Sequence, residues 1–290
     1  MSNYVLEVEQ LAKSFKYFQF GPVDLQVEKG TVIGLVGENG SGKSTFFHLV
    51  LQLLSPDRGT VHCLTHDISV NSSTAKEKIG YAGNNIYEGY GQLTIKQLAQ
   101  LVSYWYRHWD KDKYRTMIEK YQINEKEKYQ NCSAGTKKKV EFVFAMVHSP
   151  QLLLLDEPFS GVDIRSKRKM QEELADFMEN PHNAIILSTH QQEEMNALCD
   201  YLWIMDQGTI IAKVEKDEIL QQWMRVWLKD LPNEIKQHRY VVEYDVETPN
   251  IVTNNFEEME KVLARSNVAY THFKRMELDE ILAYIMEEGR

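Results

Sequence analysis

Three stretches of the chain are apolar almost without interruption: TVIGLVG at 31–37, QLLLL at 151–155 and AIILS at 184–188. Strands buried on both faces read this way, whereas a strand with one wet face alternates. Alternation does occur at 5–9 and 23–27, on either side of KSFKYFQFGP, and predicts two edge-type strands joined by a turn. Shorter strands are predicted at 59–64, 78–82 and 201–205. Helical spacing runs over 43–54 until Ser55 and Pro56 stop it, and between 93 and 149 the pattern is helical only. Strands separated by helices define an α/β fold with a mostly parallel sheet, into which 93–149 reads as a helical insertion. Past Leu228 the chain turns more polar and the order restarts in RYVVEYDV, NFEEMEKVLARS, VAYTHFKRM and LDEILAYIMEEG. A first domain over 1–228 is therefore expected, then a small α+β domain over 229–290, with Pro232 in the linker.

Composition narrows the function classes. Apolar content of 43% and charged content of 26% are those of a globular protein, and the net charge of −9 argues against a main task of gripping nucleic acid. Cys63, Cys132 and Cys199 are too few and too scattered for a disulfide framework or a zinc site, which fits a reducing compartment. No stretch reaches the roughly 18 apolar residues of a membrane span, so work at a membrane is expected to go through a partner. Tyr104, Trp105, Tyr106 and Trp109 cluster at one helix end. Local core is the commoner fate of such a group, and a docking surface the alternative.

The strongest chemical signal is GENGSGKST, residues 37–45, a phosphate loop of the form G-x-x-x-x-G-K-[ST] between a strand and a helix. Gly37, Gly40 and Gly42 let the backbone wrap phosphates. Peptide N–H groups from Asn39 to Thr45, Ser41 included, and the helix N-terminus hold negative charge. Lys43 is placed to reach the β- and γ-phosphates and Ser44 to ligate Mg2+. LLLLDEP ends an apolar strand in two carboxylates, Asp156 for the metal and Glu157 as general base for an attacking water. Alone, that pair reads more readily as a solvated turn; about 110 residues after a phosphate loop it reads as a site. His190, in ILSTHQ, follows a further strand as a proton-transfer group or γ-phosphate contact.

The order of these motifs over about 4–220 resembles the ATP-binding subunit of ATP-binding cassette (ABC) transporters. The resemblance implies a P-loop NTPase cassette with an antiparallel β subdomain and a helical subdomain. It implies ATP and Mg2+ as ligands, and two subunits sandwiching two ATP molecules head to tail. CSAGT at 132–136 stands where the family signature reads Leu-Ser-Gly-Gly-Gln, so Ser133 and Gly135 are implied to contact a partner's ATP. SGVD at 160–163 matches the D-loop, His190 the switch histidine and Phe15 the aromatic that stacks on adenine. YAGNN looks like the Q-loop, with Asn84 in the position of its Gln, a metal-sensing side chain one methylene shorter. Ala134 and Thr136 depart from the signature, and Lys137–Lys139 follow as positive potential near triphosphate.

By the same resemblance the chain is an ATP-hydrolysing motor on the cytoplasmic face of the membrane. It is implied to drive a separately encoded membrane-spanning subunit as a homodimer, or as a heterodimer with a paralogue. LVSYWYRHWD and FKRMELDEIL look similar to the ATPases of bacterial exporters for antimicrobial compounds or amphipathic peptides, phenol-soluble modulin exporters among them. Two other functions remain open. One is a non-transport ABC ATPase, disfavoured by the single phosphate loop and the acidic balance. The other is a regulatory subunit with little turnover, favoured by Ala134, Thr136 and Asn84 and disfavoured by Glu157 and His190.

Overall fold

The computed structural model describes residues 3–64, 66–67, 72–83 and 86–288. Two compact units divide the chain, 1–199 with 205–210 and 200–204 with 211–290. The first unit contains, in order, β1 (Tyr4–Ser14), β2 (Gln19–Glu28), β3 (Val32–Val36), α1 (Lys43–Val50), β4 (Arg58–Cys63), β5 (His66–Asp67), α2 (Ser72–Lys76), β6 (Ile79–Ala82), α3 (Ile95–Ser103), α4 (Lys111–Lys120), α5 (Ala134–Met146), β7 (Leu152–Asp156), α6 (Ile164–Met178), β8 (Ala184–Ser188) and α7 (Gln192–Leu198). The hairpin of β9 (Tyr201–Asp206) and β10 (Thr209–Glu215) carries the chain between the units. There follow α8 (Lys216–Gln222), β11 (Met224–Leu228), α9 (Asn233–Lys236), β12 (Val241–Asp245), β13 (Asn250–Thr253), α10 (Phe256–Arg265), β14 (Tyr270–Arg275) and α11 (Leu278–Glu288).

The apolar runs form the interior of a parallel sheet. β3 pairs with β8, β8 with β7 and β7 with β6, all parallel, and every residue of β3, β7 and β8 is buried. Burial on both faces is what removes the alternation from their sequences. A second sheet is antiparallel, in the order β2-β1-β4-β5. β1 is thus an inner strand, not the edge its alternation suggests, because β4 pairs along its other side. α1 ends at Val50, short of the expected 54. The next turn breaks at Gln52, which takes φ 54°, and the N–H groups of Leu53 and Leu54 turn back to the carbonyl of His48.

The helical stretch resolves into α3, α4 and α5, but α5 is no peripheral insertion. It packs on β6 and buries Val140 through Met146 entirely. The four aromatics part company. Tyr106 stacks on buried His148 at 4.0 Å and Trp109 meets Phe144 at 5.8 Å, whereas Tyr104 and Trp105 are 87% and 73% exposed. All three cysteines are buried. Among the described residues no helix is long and apolar enough to cross a membrane.

In the second unit β11, α9, β12, β13, α10 and β14 follow the β-α-β-β-α-β order of a split βαβ unit, with the antiparallel sheet order β12-β13-β11-β14. Met224, Val226 and Leu228 face a core with Ile235, Ile251, Met259 and Leu263. Arg225 points to the opposite face, where Tyr284 of α11 meets Glu243 and lies 3.5 Å from the guanidinium. β11 is central to this sheet, so the unit begins well ahead of the expected boundary at 228. Five residues with only three buried positions give it too little pattern to stand out in the sequence.

Candidate functional site

Parallel strands bring their C-terminal ends to one edge, where loops to the following helices gather polar groups. The loop after β3 leads into α1 through Gly42, at φ 114°, a conformation that strains any residue with a Cβ. Phe18, Asn39, Gly40, Gly42, Lys43, Ser44, Thr45, Asp156 and Glu157 line a cleft of about 310 Å3. Gly37 closes β3 against the carbonyl of Met205, and Ser41 lies buried behind the loop.

Lys43 is buried, and its Nζ donates to the carbonyls of Gly37 at 2.7 Å and Glu38 at 2.9 Å. Burial pushes its ammonium below the ordinary lysine value, while the Glu157 and Asp156 carboxylates act the other way. A desolvated cation flanked by carbonyl oxygens is a strong site for a phosphate. Ser44 Oγ donates to Asp156 Oδ2 at 2.6 Å. This hydroxyl and carboxylate are hard oxygen ligands of the kind that hold Mg2+ together with phosphate oxygens and water, so the pair fits that ion. Residues 156 and 188 are register partners across β7 and β8, which explains a contact that sequence reading missed: Ser188 Oγ donates to Asp156 Oδ1 at 2.6 Å. The same Ser188 Oγ accepts from the Glu157 N–H at 3.0 Å. His190 Nδ1 lies 3.3 Å from Glu157 Oε1.

Phe15 is not among the cleft residues. It is 40% exposed and packs against Phe18, ring centroids 6.0 Å apart, and Phe18 is the aromatic that lines the cleft. The aromatic-rich turn KSFKYFQF contained both, with nothing local to choose between them. Asn84 lies outside the described residues.

Ser133 and Gly135 stand at the start of α5, and neither lines the cleft of their own chain. Ser133 caps the helix, its Oγ accepting from the Thr136 N–H at 3.1 Å and lying 2.9 Å from Thr136 Oγ1. Ala134, the first helical residue, has no need of glycine's freedom. Gly135 is also helical, and what it needs is room: a Cβ there would fall 2.3 Å from the carbonyl oxygen of Gly161. The three lysines are not a free positive patch. Lys137 pairs with Glu88 at 2.7 Å, Lys138 is buried with its Nζ on the Asp156 carbonyl at 2.9 Å, and Lys139 lies 3.8 Å from Asp163.

Glu141, one turn further along α5, is almost fully buried. Burial pushes its carboxyl up to about 7, although the Tyr129 hydroxyl and then Lys138 and Lys137 favour the ionised form. Oε1 accepts from Tyr129 at 2.7 Å, and Oε2 has no hydrogen-bond partner among the described residues. An acid with a raised folded-state value stabilises the fold while protonated, fully below its unfolded value near 4.5, and loses that contribution as pH rises through about 7. The shift corresponds to roughly 3 kcal/mol. Glu141→Gln is therefore expected to flatten the fall in stability between about pH 4.5 and 7, which denaturant titrations at several pH values will read. An equal slope in both proteins would contradict the burial argument.

The assembled cleft is that of a P-loop nucleotide triphosphatase. The family profile for ABC transporters matches residues 20–160. ABC transporter ATP-binding protein NatA of Bacillus subtilis is 30% identical over 199 residues, 66% of this chain and 79% of NatA. Bacitracin transport ATP-binding protein BcrA of Enterococcus faecalis is 27% identical over 223 residues, 75% of this chain and 71% of BcrA. A solved ATP-binding subunit of an ABC transporter superposes with a TM-score of 0.67 at 25% identity, covering 75% of this chain and 92% of that one. The chain belongs to the ATP-binding proteins of the ABC transporter family, and it is an ATPase with the cassette fold.

Proposed function

We propose that this ATPase works as a dimer on the cytoplasmic face of a membrane, driving a separate membrane-spanning subunit that exports a peptide or antimicrobial compound. The carrying observation is the cleft itself: Lys43, the Ser44–Asp156 pair and the Glu157–His190 pair converge at the ends of β3, β7 and β8. Lys43 and the loop N–H groups hold the β- and γ-phosphates and fix the γ-phosphorus for in-line attack. Ser44 and Asp156 hold Mg2+, which neutralises charge on the phosphate oxygens when bound. Glu157 takes the proton of the attacking water, and His190 orients that carboxylate and contacts the γ-phosphate. Phe18, the aromatic that lines the cleft, offers its ring to the adenine, and Asn84 is assigned to sensing the metal. Ser133 and Gly135 reach the γ-phosphate of the partner's ATP, which agrees with their absence from their own cleft. Exposed Tyr104 and Trp105 suit a contact with the membrane subunit, and the bacitracin transport relative supports an antimicrobial compound as cargo.

A regulatory subunit with little turnover is the second reading, favoured by the Ser133–Thr136 contact, which engages the signature hydroxyl within its own helix. The wild-type ATPase rate separates the two, and one variant tests the signature. Gly135→Asp puts a carboxylate at the helix N-terminus against phosphate and a Cβ against Gly161, so it is expected to abolish the rise of specific ATPase rate with protein concentration. The assay includes the membrane subunit if the isolated chain is silent. An unchanged rate would remove the signature from the mechanism, and a wild-type rate near zero in both settings would favour regulation.

A further inference from the structure

The peptide bond joining Asp156 to Glu157 is held from both of its polar ends. Its N–H donates to Ser188, reaching Oγ at 3.0 Å and the carbonyl at 3.2 Å. Its carbonyl oxygen accepts from Lys138 Nζ at 2.9 Å, in surroundings where the lysine is only 8% exposed. Glu157 itself has φ 48°, in the left-handed region that residues with a Cβ avoid unless their surroundings impose it. Beyond that peptide the Glu157 carboxylate meets His190. A residue in an unfavourable backbone well keeps its side-chain direction only while the flanking peptide is held in plane, and here the two holds come from different elements, β8 and α5.

We infer that Lys138 is a positioning residue for hydrolysis: by holding the Asp156 carbonyl it fixes the Asp156–Glu157 peptide and aims the Glu157 carboxylate at the attacking water. This rests on the reading of Glu157 as general base. The lysine is not among the residues that line the cleft, which separates it from Lys43. Burial holds the Lys138 ammonium below the ordinary lysine value, while the carboxylates of Glu141, Asp156 and Glu157 act the other way. Because Lys138 stands outside the cleft lining, its loss is expected to act on the chemical step more than on nucleotide affinity.

Two substitutions distinguish this role from mere packing. Lys138→Met keeps the stem and removes the donor, and Lys138→Gln keeps an N–H donor without charge. In the full-length protein, Lys138→Met is expected to lower kcat at least about tenfold, since small misplacements of a catalytic group cost that much or more. The KM for ATP and the affinity for Mg-ATP stay within about threefold, because ground-state binding is untouched. Lys138→Gln is expected to restore kcat to within about threefold of wild type by donating to the same carbonyl. If Lys138 acts through Glu157, then adding Lys138→Met to Glu157→Gln produces no further loss in single-turnover rate. Wild-type kcat in Lys138→Met, equal losses in the Met and Gln variants, or an undiminished loss in the Glu157→Gln background would each overturn the proposal. Should the Met variant not fold, Lys138→Gln decides: wild-type kcat supports the donor role, and a tenfold loss with normal ATP binding overturns it. Glu157→Gln alone reports on the general base, since a turnover near wild type there sinks that assignment whatever Lys138 does.

Discussion

Lys43→Ala is expected to leave a folded protein with no measurable ATP turnover. The side chain reaches the cleft between the carbonyls of Gly37 and Glu38 and is the only cation lining it among the described residues. Removing it deletes a charge-assisted contact to the β- and γ-phosphates, of a kind that contributes roughly 1.5–3 kcal/mol to binding alone. More is lost in the transition state, where charge on the transferring group must be held in place. Stability should barely respond. Folding already penalises this ammonium by burial, so its loss removes an unfavourable desolvation along with two hydrogen bonds. The check is steady-state ATPase beside thermal melting: wild-type turnover at an unchanged melting temperature would refute the assignment of the loop.

Glu157→Gln is expected to bind Mg-ATP as wild type does and to turn over about 100- to 10,000-fold more slowly, the range that loss of a general base produces. The amide keeps the shape of the carboxylate and leaves the Ser188 contacts to the main chain untouched, so the nucleotide is expected to be retained and the proposed dimer to be trapped closed. Asp156→Asn behaves differently. Its carboxylate is shared between the Ser44 and Ser188 hydroxyls at 2.6 Å each, and neutralising it weakens the metal site before the base. Single-turnover hydrolysis, Mg2+ dependence of ATP affinity and size-exclusion in the presence of ATP read the three effects separately. If Glu157→Gln loses ATP binding as Asp156→Asn does, the division of labour between the two carboxylates is wrong.

The sequence by itself determined the parts of this protein whose physics is local. A strand covered on both faces must be apolar throughout, so β3, β7 and β8 announce themselves in TVIGLVG, QLLLL and AIILS. A phosphate loop needs its glycines, lysine and hydroxyl within nine consecutive residues, and GENGSGKST contains them all. Tertiary structure decided what depends on register and on helix rotation. Ser188 reaches Asp156 because β7 and β8 align those two positions, an alignment encoded in neither strand alone. The run Lys137–Lys139 looks like one patch of charge, but successive helical residues point about 100° apart. The three ammoniums therefore reach Glu88, the Asp156 carbonyl and Asp163, three different surroundings. Phe18 rather than Phe15 lines the cleft because the β1–β2 turn folds one ring inward and leaves its neighbour on the outside. Glu141 is buried on α5 against the Tyr129 hydroxyl, and only tertiary packing could bury an acid whose residue type is mostly found in solvent.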